Sequence, residues 1–278
     1  MSEITASVVL YNTSTEQLKR ILNCISESGL ISKVYLIDNS PVFASSYLFE
    51  LPFVHYIKSE RNLGYGSGHN IALRKVLSKS EFHFVLNPDI YFQPQALQKM
   101  VDRIIKDGTI GQLMPKIIHP DGSLQYLCKL LPTPIDLLVR LFFRGPFKAI
   151  AQKKAKKFEL RFTGYRDEMD VPYLSGCFML FRTSALKIVG LFDEQFFMYP
   201  EDIDITRRMH AKFRTLFFPS VTIVHDHAKE SYKSKKMLWI HLTNLIKYFN
   251  KWGWFFDEER KKVNAQTLEL LRVNHNDN

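Results

Sequence analysis

The sequence predicts an α/β protein with a Rossmann-like, mostly parallel central sheet flanked by helices. In the first hundred residues, short runs rich in β-branched and aromatic residues alternate with segments of helical periodicity. Polar residues follow directly after these runs, where ligands bind in parallel sheets. A chain of 278 residues with 46% hydrophobic side chains can fold as one large domain or two small ones, and it is too apolar for a disordered protein.

Four strands and two helices account for this first part. The predicted strands are Ser7–Tyr11, Val34–Ile37, Phe53–Ile57 and Phe82–Leu86. Apolar residues recur at helical spacing over Thr15–Ser28, and a second helix, Asn70–Leu77, follows a glycine-rich turn. Because strand–helix–strand connections are right-handed crossovers, we expect these strands to lie parallel.

The second half is less regular. Strands are predicted at Met179–Phe181, Thr215–Phe218 and Val221–Val224, and a helix at Glu201–His210. We find neither an internal repeat nor a low-complexity linker.

Charge is concentrated in one stretch. The chain has 38 basic and 28 acidic residues, a net charge of +10, and residues 140–161 contain eight basic residues and one acidic residue. Basic residues mixed with Leu, Phe and Ile are typical of a segment lying on an anionic membrane. The alternatives are a solvated basic helix packed on the core, and a nucleic-acid site, which the absence of a zinc or RNA-binding motif disfavours. We therefore predict a basic, amphipathic, membrane-facing insertion at about 127–161.

The three cysteines, Cys24, Cys128 and Cys177, are widely spaced and form no CxxC pair. This spacing disfavours a disulfide scaffold or a zinc ribbon and favours the reducing cytoplasm. The first residues lack the pattern of a secretory leader, and no run of about 18 apolar residues predicts a membrane-spanning helix.

Candidate ligand-binding residues follow the predicted strands. Asn12, Asp38 and the turn Asn87–Asp89 should meet at one edge of the sheet. A carboxylate such as Asp89 can hold a divalent cation against a diphosphate, although Asn-Pro-Asp is also a favourable β-turn without a ligand. The glycines of ERNLGYGSGHN permit close approach to a ligand, but their spacing matches neither a dinucleotide site nor a P-loop.

Two further stretches carry ionisable groups. The segment FMYPEDID places three carboxylates at the start of a predicted helix. One of them could act as a general base, or all three could simply complement the helix dipole. His225 and His227 would lie on the same side of an extended chain. There they could serve as metal ligands, as phosphate contacts or as structural residues.

Six stretches in this order resemble glycosyltransferase family 2, in particular bacterial rhamnosyltransferases that build O-antigen or capsular polysaccharide. They are the strand ending at Asp38, RNLGYGSGHN, FVLNPDI, YLSGCFMLFR, GLFDEQFFMYPEDIDITRR and HDHAKES. The resemblance extends from about Ser7 to Tyr248 and includes the tail LWIHLTNLIKYFNKWGWFF. It implies a GT-A fold, a nucleotide-sugar donor, a Mg²⁺ or Mn²⁺ ion and an inverting mechanism.

The resemblance also implies residue roles. Asp202 corresponds to the catalytic base, Gly176 and Glu201 to acceptor-binding positions, and Asp89 with His225 or His227 to metal ligands. The donor-binding positions are Tyr11, Asn12, Asp38, Arg61, Asn62, Gly64, Asn70 and Asn87. Asn87 replaces the first acid of the family's DxD motif, so lower metal affinity is expected. The Gln-x-x-Arg-Trp motif of processive relatives is absent, which favours addition of one or a few sugars.

From this resemblance we expect a catalytic domain at 1–233, with donor-binding and acceptor-binding halves at about 1–120 and 121–233, and a C-terminal helical extension at 234–278. The expected donor is dTDP-rhamnose, with UDP-galactose, UDP-glucose or UDP-N-acetylglucosamine as alternatives. The expected acceptor is a polyprenyl-diphosphate-linked saccharide at the inner face of the bacterial cell membrane, with no nucleic-acid partner. Two non-enzymatic alternatives are a basic protein that binds nucleic acid and a catalytically silent membrane adaptor.

Overall fold

The structure is a computed structural model that describes residues 3–42, 46–136, 154–226 and 235–276. Most of the basic insertion predicted at 127–161 lies outside these residues, as does His227.

Eleven strands and seven helices are labelled here in chain order within the described residues. They are β1 (Glu3–Leu10), α1 (Thr15–Ser28), β2 (Lys33–Asp38), β3 (Val54–Lys58), α2 (Tyr65–Val76), β4 (Ser80–Leu86), β5 (Ile90–Tyr91), α3 (Gln95–Ile105), β6 (Ile110–Ile118), β7 (Cys128–Lys129), β8 (Met169–Asp170), β9 (Tyr173–Leu174), β10 (Phe178–Arg182), α4 (Thr183–Val189), α5 (Glu201–His210), β11 (Arg214–His225), α6 (Lys235–Trp252) and α7 (Glu258–Asn276).

The central sheet has the order β3-β2-β1-β4-β10-β6-β11-β5, with β8 also paired to β11. The first four strands in this order are parallel, as the strand–helix alternation predicts. β10 then runs antiparallel to both β4 and β6, and β11 is parallel to β6. The α/β class is confirmed, and the carboxyl ends of β1, β2 and β4 meet at one edge.

Helix α1 shows why some boundaries can be read from sequence. The Ser14 side chain accepts a hydrogen bond from the backbone N–H of Gln17, and the Gln17 side chain accepts one from that of Ser14. At the other end Gly29 adopts the left-handed conformation (φ 62°) that commonly terminates helices. Four apolar residues bury the inner face of the helix: Leu18, Ile21, Leu22 and Ile25.

A polar chain crosses the otherwise apolar interior between β1, β4 and α2. The two ring nitrogens of His83 lie 2.8 Å from Thr5 Oγ1 and 2.8 Å from Ser7 Oγ. Ser7 Oγ also lies 2.7 Å from Nδ1 of His69. Both histidines are fully buried, and burial lowers the pKa of His83 to about 3 and that of His69 well below its usual value.

We expect His83 to make the fold acid-sensitive. Its pKa is lower in the folded than in the unfolded chain, so its protonation favours unfolding as the pH falls below about 6.5. The stability advantage of the native protein over His83→Gln should shrink by about 2 kcal/mol between pH 7 and pH 5. Urea unfolding of both proteins at each pH measures this change, and an advantage independent of pH would contradict it.

The C-terminal helices are fastened to α5 by buried ion pairs. The fully buried carboxylate of Asp204 accepts a 2.8 Å hydrogen bond from the indole of Trp252 and lies 2.6 Å from Lys251 Nζ. Arg207 forms a two-point pair with Asp257, at 2.7 and 2.8 Å, and stacks on the Trp252 ring. These contacts hold the helix that carries the FMYPEDID acids. None of the helices in the described part of the chain is both long and apolar enough to cross a membrane.

Candidate active site

The predicted donor-binding residues at the ends of β1 and β2 lie side by side. Asn12 has left-handed backbone (φ 51°), and its N–H donates a 2.9 Å hydrogen bond to the Ser40 side chain. The buried Asp38 carboxylate accepts hydrogen bonds from the hydroxyl of Tyr56 at 2.7 Å and from the N–H of Ser40 at 2.9 Å. Tyr11 is 55% exposed beside them. Asp38 therefore also organises the protein's own loop at this edge.

The glycine-rich loop packs against the segment before α5. Gly64 directly precedes α2 and has φ 84°, and a Cβ at this position would lie 2.1 Å from the carbonyl oxygen of Phe197. The Gly64 N–H donates to the Asn62 side chain, and its carbonyl accepts from the Asn39 side chain. Only glycine allows this close approach, which joins the predicted donor loop to the predicted catalytic segment.

Two other predicted donor-binding residues have different surroundings. The side chain of Arg61 is exposed at the rim. The buried amide of Asn70 donates to the carbonyl of Phe192 at 2.8 Å and accepts from the Phe192 N–H at 3.1 Å. Asn70 thus fixes the loop before α5, and its role toward a donor stays a prediction.

Strand pairing brings Asp89 and His225 together. β5 follows Asp89 directly and pairs antiparallel with the end of β11, where His225 is opposite Ile90. His225 Nε2 lies 3.2 Å from Asp89 Oδ1 and 3.4 Å from Asn87 Nδ2. Residues 136 positions apart in sequence therefore form one cluster at the strand ends.

The imidazole of His225 is oriented by its other nitrogen. Nδ1 lies 3.0 Å from the side-chain oxygen of Gln125, whose amide donates to the His225 carbonyl at 2.8 Å. Burial lowers the pKa of His225, but Cys177 and Asp89 outweigh this effect and raise it to about 10. The ring must lose this proton before its Nε2 can bind a cation.

Two groups of this cluster could hold a divalent cation: the Asp89 carboxylate and the His225 imidazole, which lie 3.2 Å apart. Asn87 faces His225 with its amide nitrogen, so its oxygen could act as a ligand only after the amide turns over. The described residues contain no group of three or more His, Cys, Asp or Glu side chains suited to a metal. A cation site here would therefore rest on Asp89 and His225, with Asn87 as a weak third ligand.

Asp202 is held at the start of α5 by backbone donors. Its carboxylate accepts hydrogen bonds from the N–H of Gly176 at 3.0 Å and from that of Ile203 at 2.8 Å. A Cβ at Gly176 would lie 3.3 Å from that of Asp202, so the small residue permits this contact. Burial raises the pKa of Asp202 to about 6, although the Gly176 N–H and the charge of Lys129 oppose the rise. Asp202 is therefore ionised near neutral pH yet remains basic enough to accept a proton.

Glu201, beside it, has the opposite protonation preference. The side chain is 4% exposed, and within the described structure its Oε2 has no hydrogen-bond partner. Burial and the neighbouring Asp202 charge raise the pKa of Glu201 well above its usual range. A neutral acid beside an ionised one is the pattern by which two adjacent carboxyls take different roles.

Two residues that the sequence did not single out complete the surroundings of Asp202. Tyr65 donates its hydroxyl to the Gly176 carbonyl at 2.5 Å, fixing the loop that holds Asp202. Lys129 is 5% exposed and lies over the ring of Tyr173, at 4.9 Å. It reaches this position because β7 pairs with β9, the strand that leads into Gly176. A two-residue strand has no sequence signal that would have identified it.

We expect Lys129 to set the acid limit of activity. Removing its charge in Lys129→Met should raise the pKa of Asp202. The loss of activity relative to the native protein should therefore be at least about twofold greater at pH 6 than at pH 8. Lys129→Arg keeps the charge and serves as the matched control. The pH profile of kcat/KM measures the effect, and an equal loss at both pH values would indicate a purely structural role.

The loop between β9 and β10 joins both clusters. Gly176 binds Asp202, and the next residue, Cys177, accepts a 3.0 Å hydrogen bond from the N–H of Asn87. This α/β sheet, with an Asp–His pair at its strand ends and a carboxylate pair on a facing helix, has the GT-A fold. The chain belongs to glycosyltransferase family 2, because the sequence model of Glycosyl transferase family 2 matches residues 7–190, more than half of its length.

Relatives in this family include rhamnosyltransferases. The chain is 29% identical over 193 residues to an N-acetylglucosaminyl-diphospho-decaprenol L-rhamnosyltransferase of Mycobacterium tuberculosis (strain CDC 1551 / Oshkosh), a match that covers 64% of this chain and 60% of the relative. It is 27% identical over 254 residues to the rhamnosyltransferase WbbL of Escherichia coli (strain K12), covering 87% and 90% of the two chains. The chain thus spans less than two thirds of the mycobacterial relative and most of the E. coli one.

Solved structures share the fold. A crystal structure of GalNAc-T7 with UDP, GalNAc and Mn²⁺ superposes with a TM-score of 0.57 at 16% identity, covering 81% of this chain and 44% of that protein. At this identity the likeness establishes the fold alone.

Proposed function

We propose that this protein is an inverting glycosyltransferase that moves a sugar from a nucleoside-diphosphate donor to a saccharide acceptor. The observation that carries the proposal is the buried Glu201–Asp202 pair at the start of α5, in which two backbone N–H groups, of Gly176 and Ile203, hold the Asp202 carboxylate. The Asp89–His225 cluster is linked to this pair through a single loop.

The chemistry of transfer assigns a role to each group. Asp202 accepts the proton of the acceptor hydroxyl while that oxygen attacks the anomeric carbon on the face opposite the diphosphate. Glu201, as a neutral acid, donates a hydrogen bond from its buried carboxyl to an acceptor hydroxyl. One base and one displacement invert the anomeric configuration.

Asp204 supports inversion over retention. A retaining route uses a second carboxylate as nucleophile. Asp204 is fully buried, and its two oxygens contact Arg208, Trp252 and Lys251. Its carboxylate is engaged in these contacts, which fasten the C-terminal helices to α5.

On the donor side, Asp89 and His225, with the amide of Asn87, would hold Mg²⁺ or Mn²⁺. Such an ion, when bound, neutralises the charge that develops on the departing diphosphate. The donor-binding half, about 1–120, contributes Asp89 and the strand-end residues, and the half at about 121–233 contributes Asp202 and Glu201.

We infer L-rhamnose from dTDP-rhamnose as the donor, because two relatives are named as rhamnosyltransferases. UDP-galactose, UDP-glucose and UDP-N-acetylglucosamine are the alternatives. The mycobacterial relative's name specifies a diphospho-decaprenol-linked sugar, which supports a lipid-linked acceptor in bacterial surface polysaccharide synthesis at the cytoplasmic face of the membrane.

Nucleotide binding tests the proposed donor class. With Mg²⁺ or Mn²⁺ present, dTDP or UDP should raise the melting temperature by several degrees, since a ligand at about 100 times its Kd stabilises the fold by about 2.7 kcal/mol. ATP and NAD should not, because the glycine loop lacks the spacing of their sites. Stabilisation by ATP alone would point to another enzyme class.

A further inference from the structure

The turn between α6 and α7 displays three consecutive aromatic residues to solvent. Trp254, Phe255 and Phe256 are 38%, 64% and 90% exposed. Phenylalanine carries no polar atom that would favour this exposure, and adjacent exposed aromatic residues usually mark a binding surface.

The turn is rigidly held. Gly253 has φ 97°, and a Cβ there would lie 2.9 Å from the Phe256 carbonyl oxygen. Arg260, only 3% exposed, donates to the carbonyls of Gly253 at 3.2 Å and Trp254 at 2.9 Å. Because buried groups fix the backbone of the turn, the fold itself directs these aromatic side chains outward.

The exposed apolar surface continues along α6. Trp239 and Ile246 are 69% and 47% exposed, and they share one helix face with Asn250. Asn250 accepts a 2.9 Å hydrogen bond from the indole of Trp254, which joins this face to the turn. We call Trp239, Ile246, Trp254, Phe255 and Phe256 the aromatic face; its two helical members, Trp239 and Ile246, lie about 10 Å apart along the axis of α6.

The opposite side of α6 contacts the segment that precedes Glu201. The Asn244 side chain accepts from the N–H of Phe197 at 3.3 Å and donates to the Met198 carbonyl at 3.2 Å. His241 stacks on Tyr199 with 4.4 Å between ring centres. A surface that binds the aromatic face is therefore held next to the candidate active site.

We propose that the aromatic face inserts into the interfacial layer of a lipid bilayer and brings the active site to a lipid-linked acceptor. The inference rests on the proposed function for its acceptor. A convex turn with Phe256 90% exposed suits a soft, deformable partner, and tryptophans near both ends match the amphipathic rings found at membrane interfaces.

The charge around the aromatic face agrees with a lipid surface. Residues 235–276, which carry the aromatic face, contain eight basic and four acidic residues. The acids after the turn are paired, Glu258 with Lys261 at 2.6 Å and Glu259 with Arg207 at 2.7 Å. The excess of basic residues on these two helices suits an anionic headgroup layer.

Vesicle binding by the full chain tests this assignment. Phe255→Ser/Phe256→Ser should bind vesicles of phosphatidylcholine and phosphatidylglycerol about tenfold more weakly or worse, since both side chains lose their insertion into the apolar layer. Leu270→Ser/Val273→Ser, which removes two exposed apolar side chains from α7, is the matched control and should bind like the native protein. Melting temperatures should be unchanged, and native tryptophan fluorescence should shift to the blue with vesicles.

Equal binding by the native protein and the Phe255/Phe256 variant would overturn the assignment, as would no binding by the native protein. Sedimentation velocity tests whether a second copy of the chain binds the aromatic face instead of a bilayer. If the native protein is a dimer, the Phe255/Phe256 substitutions dissociate it and no vesicle binding is seen, the aromatic face is a dimer interface and the bilayer assignment is wrong. Sugar transfer to a water-soluble acceptor should be the same in both variants. Its absence in the native protein contradicts the proposed function, while vesicle binding decides the assignment of the aromatic face by itself.

Discussion

Asp202→Asn should lower turnover by roughly two to four orders of magnitude, the scale of general-base loss. The Gly176 and Ile203 N–H groups donate to different oxygens of Asp202, so the asparagine can keep only one of these contacts, and the melting temperature should fall modestly while nucleotide binding changes little. Removing the carboxylate leaves the acceptor hydroxyl without its base. Steady-state rates with saturating donor, together with melting temperatures, measure both parts of the expectation.

Glu201→Gln is the matched control for this variant. It keeps a neutral, hydrogen-bonding side chain at a position where burial and Asp202 already favour the neutral acid. We expect it to affect acceptor KM more than kcat and to lower turnover far less than Asp202→Asn. If Glu201→Gln were the more damaging change, the base would be Glu201.

Removal of the divalent ion should abolish activity, and Mg²⁺ or Mn²⁺ should restore it. Asp89→Ala should reduce turnover by about a hundredfold or more, whereas Asn87→Ala should have a much smaller effect, because a carboxylate binds a hard cation directly and an amide oxygen is a weaker ligand. Activity in EDTA with and without each added ion, for the native protein and both variants, provides the comparison.

Two results would contradict this assignment. Full activity of the native protein in EDTA would show that the reaction does not need a divalent ion. Equal loss in Asp89→Ala and Asn87→Ala, with unaltered ion dependence in both, would indicate that these side chains are needed for the shape of the turn and not for an ion.

The parts of the fold set by local physics were predictable from sequence. Helix Thr15–Ser28 has caps at both ends and a regular apolar face, and the structure has the same bounds. Helix Glu201–His210 follows Pro200 and begins with acids that complement its dipole, and it too was predicted with its observed ends. The strand-end rule likewise placed Asn12, Asp38 and Asp89 after β1, β2 and β4, which are neighbouring parallel strands.

Features set by distant contacts were not predictable. Helix α2 begins at Tyr65 and not at the predicted Asn70, because Gly64 closes against Phe197, more than a hundred residues away. The pairing of β5 with β11 that joins Asp89 to His225 involves two residues of β5 and has no periodicity to detect. Asn70 looks like a donor-loop residue in sequence, yet its amide binds the backbone of Phe192.

Nucleoside diphosphate released from a panel of nucleotide sugars tests the central claim most directly. With Mg²⁺ or Mn²⁺ and an N-acetylglucosaminyl-diphospho-lipid acceptor, we expect dTDP release from dTDP-rhamnose that requires the acceptor, matches the amount of product and is lost in Asp202→Asn. Release from a UDP-sugar under the same conditions would change the donor and keep the enzyme class. Absence of release from every nucleotide sugar in the panel, with acceptor and ion present and the protein folded, would contradict the account.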